Sequence, residues 1–192
     1  APWIVRNHRV HGEWFFVATG GGRQFWVGNN ARATGDTRAP TQWNAAELDS
    51  LRAHPDEIAR ERWYYREGMR FVRDEPGRAA WLYLVRLGNL FALWPETYSR
   101  TAYVSVWSRW AQGLASVAVF AGVILALLRR RSEPAVWPLV GAVVSFALVN
   151  AVFFTVLRYR MAFEPCLLWL AGAGWASLGA VAGLGRRFGV SR

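Results

Sequence analysis

Three long runs without a charged residue set the tightest limit on what this chain can fold into. They are Trp110–Leu128, Pro134–Leu157 and Pro165–Gly185, with 19, 24 and 21 residues. A helix needs roughly 20 apolar residues to cross the hydrocarbon core of a bilayer. A buried helix of a soluble protein explains one such run, but three in succession favour a membrane protein. The sequence therefore predicts a mainly α integral membrane protein with three transmembrane helices.

The distribution of arginine along the chain decides what the high net charge means. All 23 basic residues are arginine, and the net charge of +10 suggests at first a nucleic-acid-binding protein. Residues 1–78 hold 12 Arg and 10 acidic residues (net +2), whereas residues 79–192 hold 11 Arg and 3 acidic residues (net +8). The surplus lies mainly at the ends of the uncharged runs, where membrane proteins keep arginine. We therefore expect membrane lipid, and no nucleic acid, as a partner.

The same arginines predict an orientation. Arg129–Arg131 and Arg186–Arg187 follow the first and third runs, and the positive-inside tendency places both groups in the cytoplasm. The loop between the second and third runs then lies outside, as do residues 1–107. Ala79–Trp94 is apolar but short, with Arg86 at its centre, so we predict an interfacial or protein-packed helix that ends at Pro95. Whether it spans the membrane stays open.

The polar first part of the chain predicts an extracytoplasmic α+β region. Glu13–Thr19 and Gln24–Gly28 flank three glycines and are typical of a β-hairpin. Pro55–Glu75 is typical of an amphipathic helix, with Ile58, Tyr65, Met69 and Val72 on one face. The predicted organisation is an outer loop region at 1–78, an interfacial helix and connector at 79–107, and a three-helix transmembrane region at 108–192.

The outer loop between the second and third runs contains the strongest candidate site. Arg158, Tyr159 and Arg160 precede Glu164 in this loop. Guanidinium groups at a membrane surface suit a phosphate, which they bind in bidentate fashion. The alternative is that the arginines extend to lipid headgroups. Glu164 is expected to pair with one of them.

Other polar residues are weaker candidates. Asn side chains donate to and accept from sugar hydroxyls, and they also stabilise turns. On this basis the candidate substrate-binding residues are Arg6, Asn7, Asn29, Asn30 and Glu164. His8 and His11 lack the further ligands that a metal needs, so no metal site and no cofactor are predicted.

Four segments, in order, resemble one family of enzymes. Pro2–Asn7 resembles a P-W-t-x-R-N segment, and Trp26–Gly35 is similar to a hydrophobic-Gly-Asn-Asn-x-x-A-x-G element. Phe71–Gly77 resembles F-I-R-x-x-P-G, and Arg158–Pro165 resembles R-Y-R-x-P-x-x-P, with Ala162 where a proline is common. Together they are specific to the C-terminal part of bacterial membrane glycosyltransferases, the family related to dolichyl-phosphate-mannose–protein mannosyltransferases and the aminoarabinose transferase of lipid A.

The resemblance implies a C-type glycosyltransferase fold, multi-pass in the bacterial inner (cytoplasmic) membrane. The donor would be a polyprenyl-phosphate sugar, and the acceptor a glycan, a lipid or a protein of the cell envelope. Arg158, Tyr159 and Arg160 would bind the donor phosphate. The family's catalytic carboxylate lies in an early outer loop, so it is expected upstream of this chain and no catalytic residue is assigned here.

The chain begins Ala1-Pro2-Trp3 without an initiator methionine, so we expect it to be a fragment of a longer chain. Because the family's acidic loop is missing from it, we expect the fragment to be inactive by itself. The alternative function is a non-catalytic three-span membrane subunit, acting in assembly or transport.

Overall fold

The computed structural model describes residues 2–12, 14, 20–35, 45–54, 56–94, 106–153 and 157–187. Within these residues, the side chains of 11, 45–47, 50, 157–158 and 180–187 are not part of the description. The regular elements of this part of the chain are helices. They are α1 (Pro2–His11), α2 (Gly21–Gly28), α3 (Ala45–Arg52), α4 (Glu57–Asp74), α5 (Pro76–Leu90), α6 (Val106–Arg129), α7 (Val136–Val152), a 3₁₀ helix (Leu157–Ala162) and α8 (Glu164–Arg187).

The chain divides into two compact units. The first comprises Ala1–Leu87 together with Ala151–Thr155, and the second comprises Gly88–Asn150 together with Val156–Arg192. The first unit therefore combines the polar part of the chain with a short segment from the end of α7. Each unit contains one of the two arginine sites described below.

The predicted β-hairpin is wrong. Its second strand, Gln24–Gly28, lies within helix α2, and its first strand falls outside the described residues except for Trp14. Burial in this segment follows a helical period: the buried residues include Gly22, Phe25, Trp26 and Asn29, at offsets 0, 3, 4 and 7. The polar first part of the chain is thus helical where it is described, and the α+β assignment is corrected.

A distant carboxylate explains why this segment is a helix. The first N–H groups of a helix have no partner within it. Here Glu61 of α4 accepts hydrogen bonds from the N–H of Gly20 at 3.1 Å and of Gly22 at 2.7 Å. Its negative charge also interacts favourably with the positive end of the α2 dipole. Gly20 has φ of +119°, a conformation that favours glycine, so the glycines start a helix where a hairpin turn was predicted.

Helix α4 forms close to its predicted limits because its start and its end are signalled locally. Asp56 caps the N-terminus, and its carboxylate accepts a hydrogen bond from the N–H of Ala59 at 2.9 Å. Pro76 follows the last turn and opens α5, a position where the missing N–H of proline costs nothing.

The packed face of α4 is next to the one that the sequence suggested. Tyr65 and Met69 are 43% and 49% exposed, whereas Tyr64, Gly68 and Phe71 are buried. Gly68 allows α2 to approach closely, since a Cβ at this position would lie 2.7 Å from a ring carbon of Phe25. The first unit is therefore built on α4 packed against α2.

Helices α6 and α8 pack closely in the second unit. Small residues permit this approach: a Cβ on Gly174 would overlap the backbone carbonyl of Gly122. The indole N–H of Trp175 donates to the carbonyl of Ala118 at 3.0 Å and adds a polar contact between the same helices. In the third uncharged run, Gly174 and Ala171 thus serve helix packing.

The prediction of three transmembrane helices is also corrected. Among the described residues, α6 is the one helix long and apolar enough to cross a membrane, by length and composition. Helix α7 is apolar but has 17 residues, or about 25 Å at 1.5 Å per residue, against a hydrocarbon core of about 30 Å. Side chains of α8 are described only as far as Gly179. Within the described residues, one helix that is both long and apolar enough therefore takes the place of the three that the uncharged runs indicated.

Candidate functional site

Arg160 lies at the centre of a polar cluster in the second unit. It belongs to the 3₁₀ helix that leads into α8, and its side chain is 12% exposed. Its Nε donates to Oε2 of Glu164 at 2.9 Å, and its Nη2 lies 3.5 Å from the other carboxylate oxygen. The expected pairing of Glu164 with an arginine of the preceding segment is therefore present, between residues one helical turn apart.

Two further acceptors and an aromatic ring complete the surroundings of Arg160. Nη1 donates to the backbone carbonyl of Ala92 at 3.4 Å, and Nη2 donates to Oγ of Ser116 at 3.3 Å. The guanidinium carbon lies 5.7 Å from the centre of the Phe120 ring, within the range of a cation–π contact. All three guanidinium nitrogens thus have acceptors in the protein, and one of these acceptors, the carboxylate of Glu164, is negatively charged.

The neighbours of Arg160 in the loop are less fully defined. Tyr159 is half-buried in the same 3₁₀ helix. Arg158 also belongs to this helix, but its side chain lies outside the description. Among the three residues predicted to bind the donor phosphate, the contacts described above are therefore those of Arg160.

Asn29 is the second centre of polar contacts, in the first unit. It is 3% exposed, directly after α2. Its amide nitrogen donates to the carbonyl of Phe25 at 2.8 Å and to that of Val152 at 3.0 Å. Its amide oxygen accepts from Nη2 of Arg86 at 3.2 Å. One side chain therefore connects α2, α5 and the end of α7.

Arg86 donates hydrogen bonds to the same turn, at Gly28 and Asn29. The sequence did not predict these contacts. Of the two placements left open for its helix, the side chain of Arg86 is protein-packed, at 2% exposure. Nη1 donates to the carbonyl of Gly28, a glycine whose Cβ would overlap this guanidinium. Within the described part of the chain, no carboxylate pairs with Arg86, and its buried Nε has no hydrogen-bond partner.

The electrostatic state of Arg86 follows from this burial. Desolvation lowers the pKa of Arg86 to about 10, although the nearby Tyr83 acts in the opposite direction. The guanidinium is therefore still charged at neutral pH. One sequence signal identifies the position: Arg86 is the single charge within an apolar segment, and a charge in such a segment needs polar partners.

The remaining candidates occupy separate places in the first unit. Asn30 makes local turn contacts: its amide donates to the carbonyls of Trp26 and Val27, and its oxygen accepts from the N–H of Arg32. Asn7 is buried in α1, whereas Arg6 is exposed with its guanidinium 5.0 Å from the Trp3 ring centre.

The described residues contain no group of three or more His, Cys, Asp or Glu side chains placed to hold a metal ion. Comparison with known proteins finds no matching family model, and no significant match among curated proteins or solved structures. What the chain does is therefore proposed below from its own residues and contacts.

Proposed function

We propose that this chain is the C-terminal part of a membrane glycosyltransferase that moves a sugar from a polyprenyl-phosphate donor to an acceptor in the cell envelope. The observation that carries the proposal is Arg160, placed with Tyr159 and Arg158 in a short 3₁₀ helix before α8 and paired with a carboxylate that a phosphate can displace. The four family-like segments supply the context. Residues 1–107 are proposed to face the extracytoplasmic side of the bacterial inner membrane.

The chemistry that Arg160 would perform is stabilisation of a leaving group. In the transfer, the bond between the sugar C1 and the phosphate oxygen breaks, and a new bond forms from C1 to the acceptor. The acceptor's proton passes to a carboxylate that is expected upstream, and negative charge develops on the departing polyprenyl phosphate. A preorganised guanidinium near this phosphate lowers the energy of the transition state.

Glu164 would compete with the donor phosphate for Arg160. Its carboxylate occupies the Nε and Nη2 edge of Arg160, the edge that a phosphate would bind in bidentate fashion. Donor binding therefore competes with the ion pair. Replacing Glu164 with Gln removes the competing charge and is expected to tighten phosphate binding, whereas Arg160→Ala weakens it.

The test measures binding of farnesyl phosphate to the chain in lipid nanodiscs, with farnesol as the matched ligand without a phosphate. We expect Arg160→Ala to weaken farnesyl phosphate binding by at least about tenfold, the effect of losing one charge-assisted pair. Farnesol binding should not change. Arg109→Ala, which removes an exposed arginine of the same unit, serves as the control.

Folding of each variant is checked by its thermal midpoint, and Arg160→Lys provides a second variant that keeps the charge. Equal affinity for farnesyl phosphate and farnesol, or an unchanged affinity in both Arg158→Ala and Arg160→Ala, would overturn the phosphate assignment.

A second function is favoured by one feature of the same cluster. All three guanidinium nitrogens of Arg160 already donate within the protein, as expected if the residue only holds α8 to α6. This arrangement suits a non-catalytic membrane subunit that acts in assembly or transport. Under that function, Glu164→Gln loosens the structure without any gain in phosphate affinity, so the same experiment separates the two proposals.

A further inference from the structure

Helix α4 presents a basic face opposite its packed face. Its buried residues are Trp63, Tyr64, Gly68 and Phe71. The last three lie within about 60° of one another around the helix, and at about 100° per residue the side opposite them falls on a second set of positions. That set carries four arginines: Arg62, Arg66, Arg70 and Arg73. All four are exposed.

The four acidic residues of α4 (Glu57, Glu61, Glu67 and Asp74) fall outside this face at about 100° per residue. Glu61 is used at the start of α2, where it accepts from the N–H groups of Gly20 and Gly22. Glu67 pairs with Arg70 at 2.9 Å, at the edge of the face. In the described part of the chain, no hydrogen bond or ion pair engages Arg66 or Arg73.

The arginines border a shallow cavity of about 320 Å³. Its lining consists of Arg66, Met69, Arg70 and Arg73, at offsets 0, 3, 4 and 7 along one side of the helix. Met69 is half exposed and supplies an apolar surface between the cationic groups. The surface of the cavity is almost wholly apolar, so it is lined by the aliphatic stems of the arginines and by Met69. Apolar stems that end in guanidinium groups suit a phosphate ester that carries an apolar chain.

Two other features of the chain favour a lipid over a soluble phosphate. Helix α6 is long and apolar enough to cross a membrane, so the chain has a means of reaching lipid. In the same unit as α4, helix α5 exposes Trp81 and Leu84, at 64% and 58%. Exposed Trp and Leu on one helix and arginines on another are the residues that helices use in the headgroup region of a bilayer.

We propose that Arg66, Arg70 and Arg73, with Met69, form a binding site for the phosphate of an anionic lipid headgroup, which holds α4 on the membrane surface. The site is separate from Arg160 and does not depend on the transferase proposal. Each arginine at an anionic surface contributes about fivefold to binding, so three together contribute about a hundredfold.

The test uses the 192-residue chain with Arg62→Cys, on the same face of α4 but outside the proposed site, as the position of a fluorescent label. Cys166→Ser removes the native thiol. The protein is placed in nanodiscs of phosphatidylcholine, either alone or mixed with phosphatidylglycerol. Quenching by acrylamide, which is uncharged, reports how far the label is exposed to water. We expect phosphatidylglycerol to protect the label, and added salt to reverse this protection.

The variant R66Q/R70Q/R73Q should lower the ratio of membrane-bound to free α4 by about a hundredfold, so that quenching in phosphatidylglycerol matches that in phosphatidylcholine. The matched control R9Q/R52Q/R60Q removes the same charge from exposed positions elsewhere in the unit and should keep the protection. Equal quenching of the unsubstituted chain in both lipids, or equal loss of protection in both triple variants, would overturn the proposal. Protection by inorganic phosphate in phosphatidylcholine alone would overturn the assignment to lipid.

Discussion

The two units each contain a largely buried arginine but satisfy it with different acceptors. Arg86 in the first unit donates to a backbone carbonyl and to the amide oxygen of Asn29, which are both neutral. Arg160 in the second unit donates to a carboxylate, a carbonyl and a hydroxyl. A neutral acceptor that belongs to the fold cannot be exchanged for a ligand without opening the fold. A carboxylate on a side chain can be exchanged for another anion, so the contacts of Arg160 are compatible with the proposed phosphate binding, whereas those of Arg86 belong to the fold.

The largest expected effect comes from Arg86→Met. This change leaves the carbonyl of Gly28 and the amide oxygen of Asn29 buried with a donor missing, which costs about 3 kcal/mol of the free energy of unfolding. Chemical denaturation in detergent measures the loss. Arg73→Met on the exposed face of α4 is the control, with an expected change within about 0.5 kcal/mol. An equal loss of unfolding free energy in the two variants would show that the hydrogen bonds of Arg86 do not stabilise the fold.

A smaller effect is expected from Glu164→Gln. The amide keeps the shape of the carboxylate but removes the charge that faces Arg160, at a cost of about 1–2 kcal/mol in the free energy of unfolding. The control is Glu133→Gln, which breaks the more exposed pair with Arg130 at 3.4 Å and should cost about 0–0.5 kcal/mol. If the two variants lose the same unfolding free energy in this denaturation experiment, the partly buried ion pair of Glu164 stabilises the protein no more than the exposed pair of Glu133.

The smallest effect is expected from Ser116→Ala. Arg160 loses one hydrogen bond, at 3.3 Å, and keeps Glu164 and the carbonyl of Ala92, so the expected loss is about 0.5–1 kcal/mol. The thermal midpoint compared with that of Glu164→Gln measures it. A loss larger than that of Glu164→Gln would mean that the hydroxyl, and not the carboxylate, holds Arg160.

The parts of the fold that could be predicted from the sequence are those with local signals. Helix α4 starts at a capping aspartate and ends before a proline, so its limits follow from neighbouring residues. The i,i+4 pair of Arg160 and Glu164 is local as well. Such interactions depend on residues within one or two helical turns, which the sequence shows directly.

Two of the errors have the same physical cause, which is a partner distant in the chain. Helix α2 was assigned to a hairpin because its N-terminus depends on Glu61, whose contact with Gly22 spans 39 positions. The role of Arg86 was missed because its acceptor on Asn29 lies 57 positions away. In both cases a local pattern was overridden by tertiary contacts that composition and period do not show.

The hydrogen bond from Asn29 to the carbonyl of Val152 has a consequence for how the protein is made. It joins residues 123 positions apart, and the whole of α6 lies between them. During synthesis the N-terminal residues leave the ribosome first, but the hydrogen bond from Asn29 to Val152 cannot form until α7 has emerged. The first unit is therefore started early and completed late. Over that interval, the amide of Asn29 remains without its most distant partner.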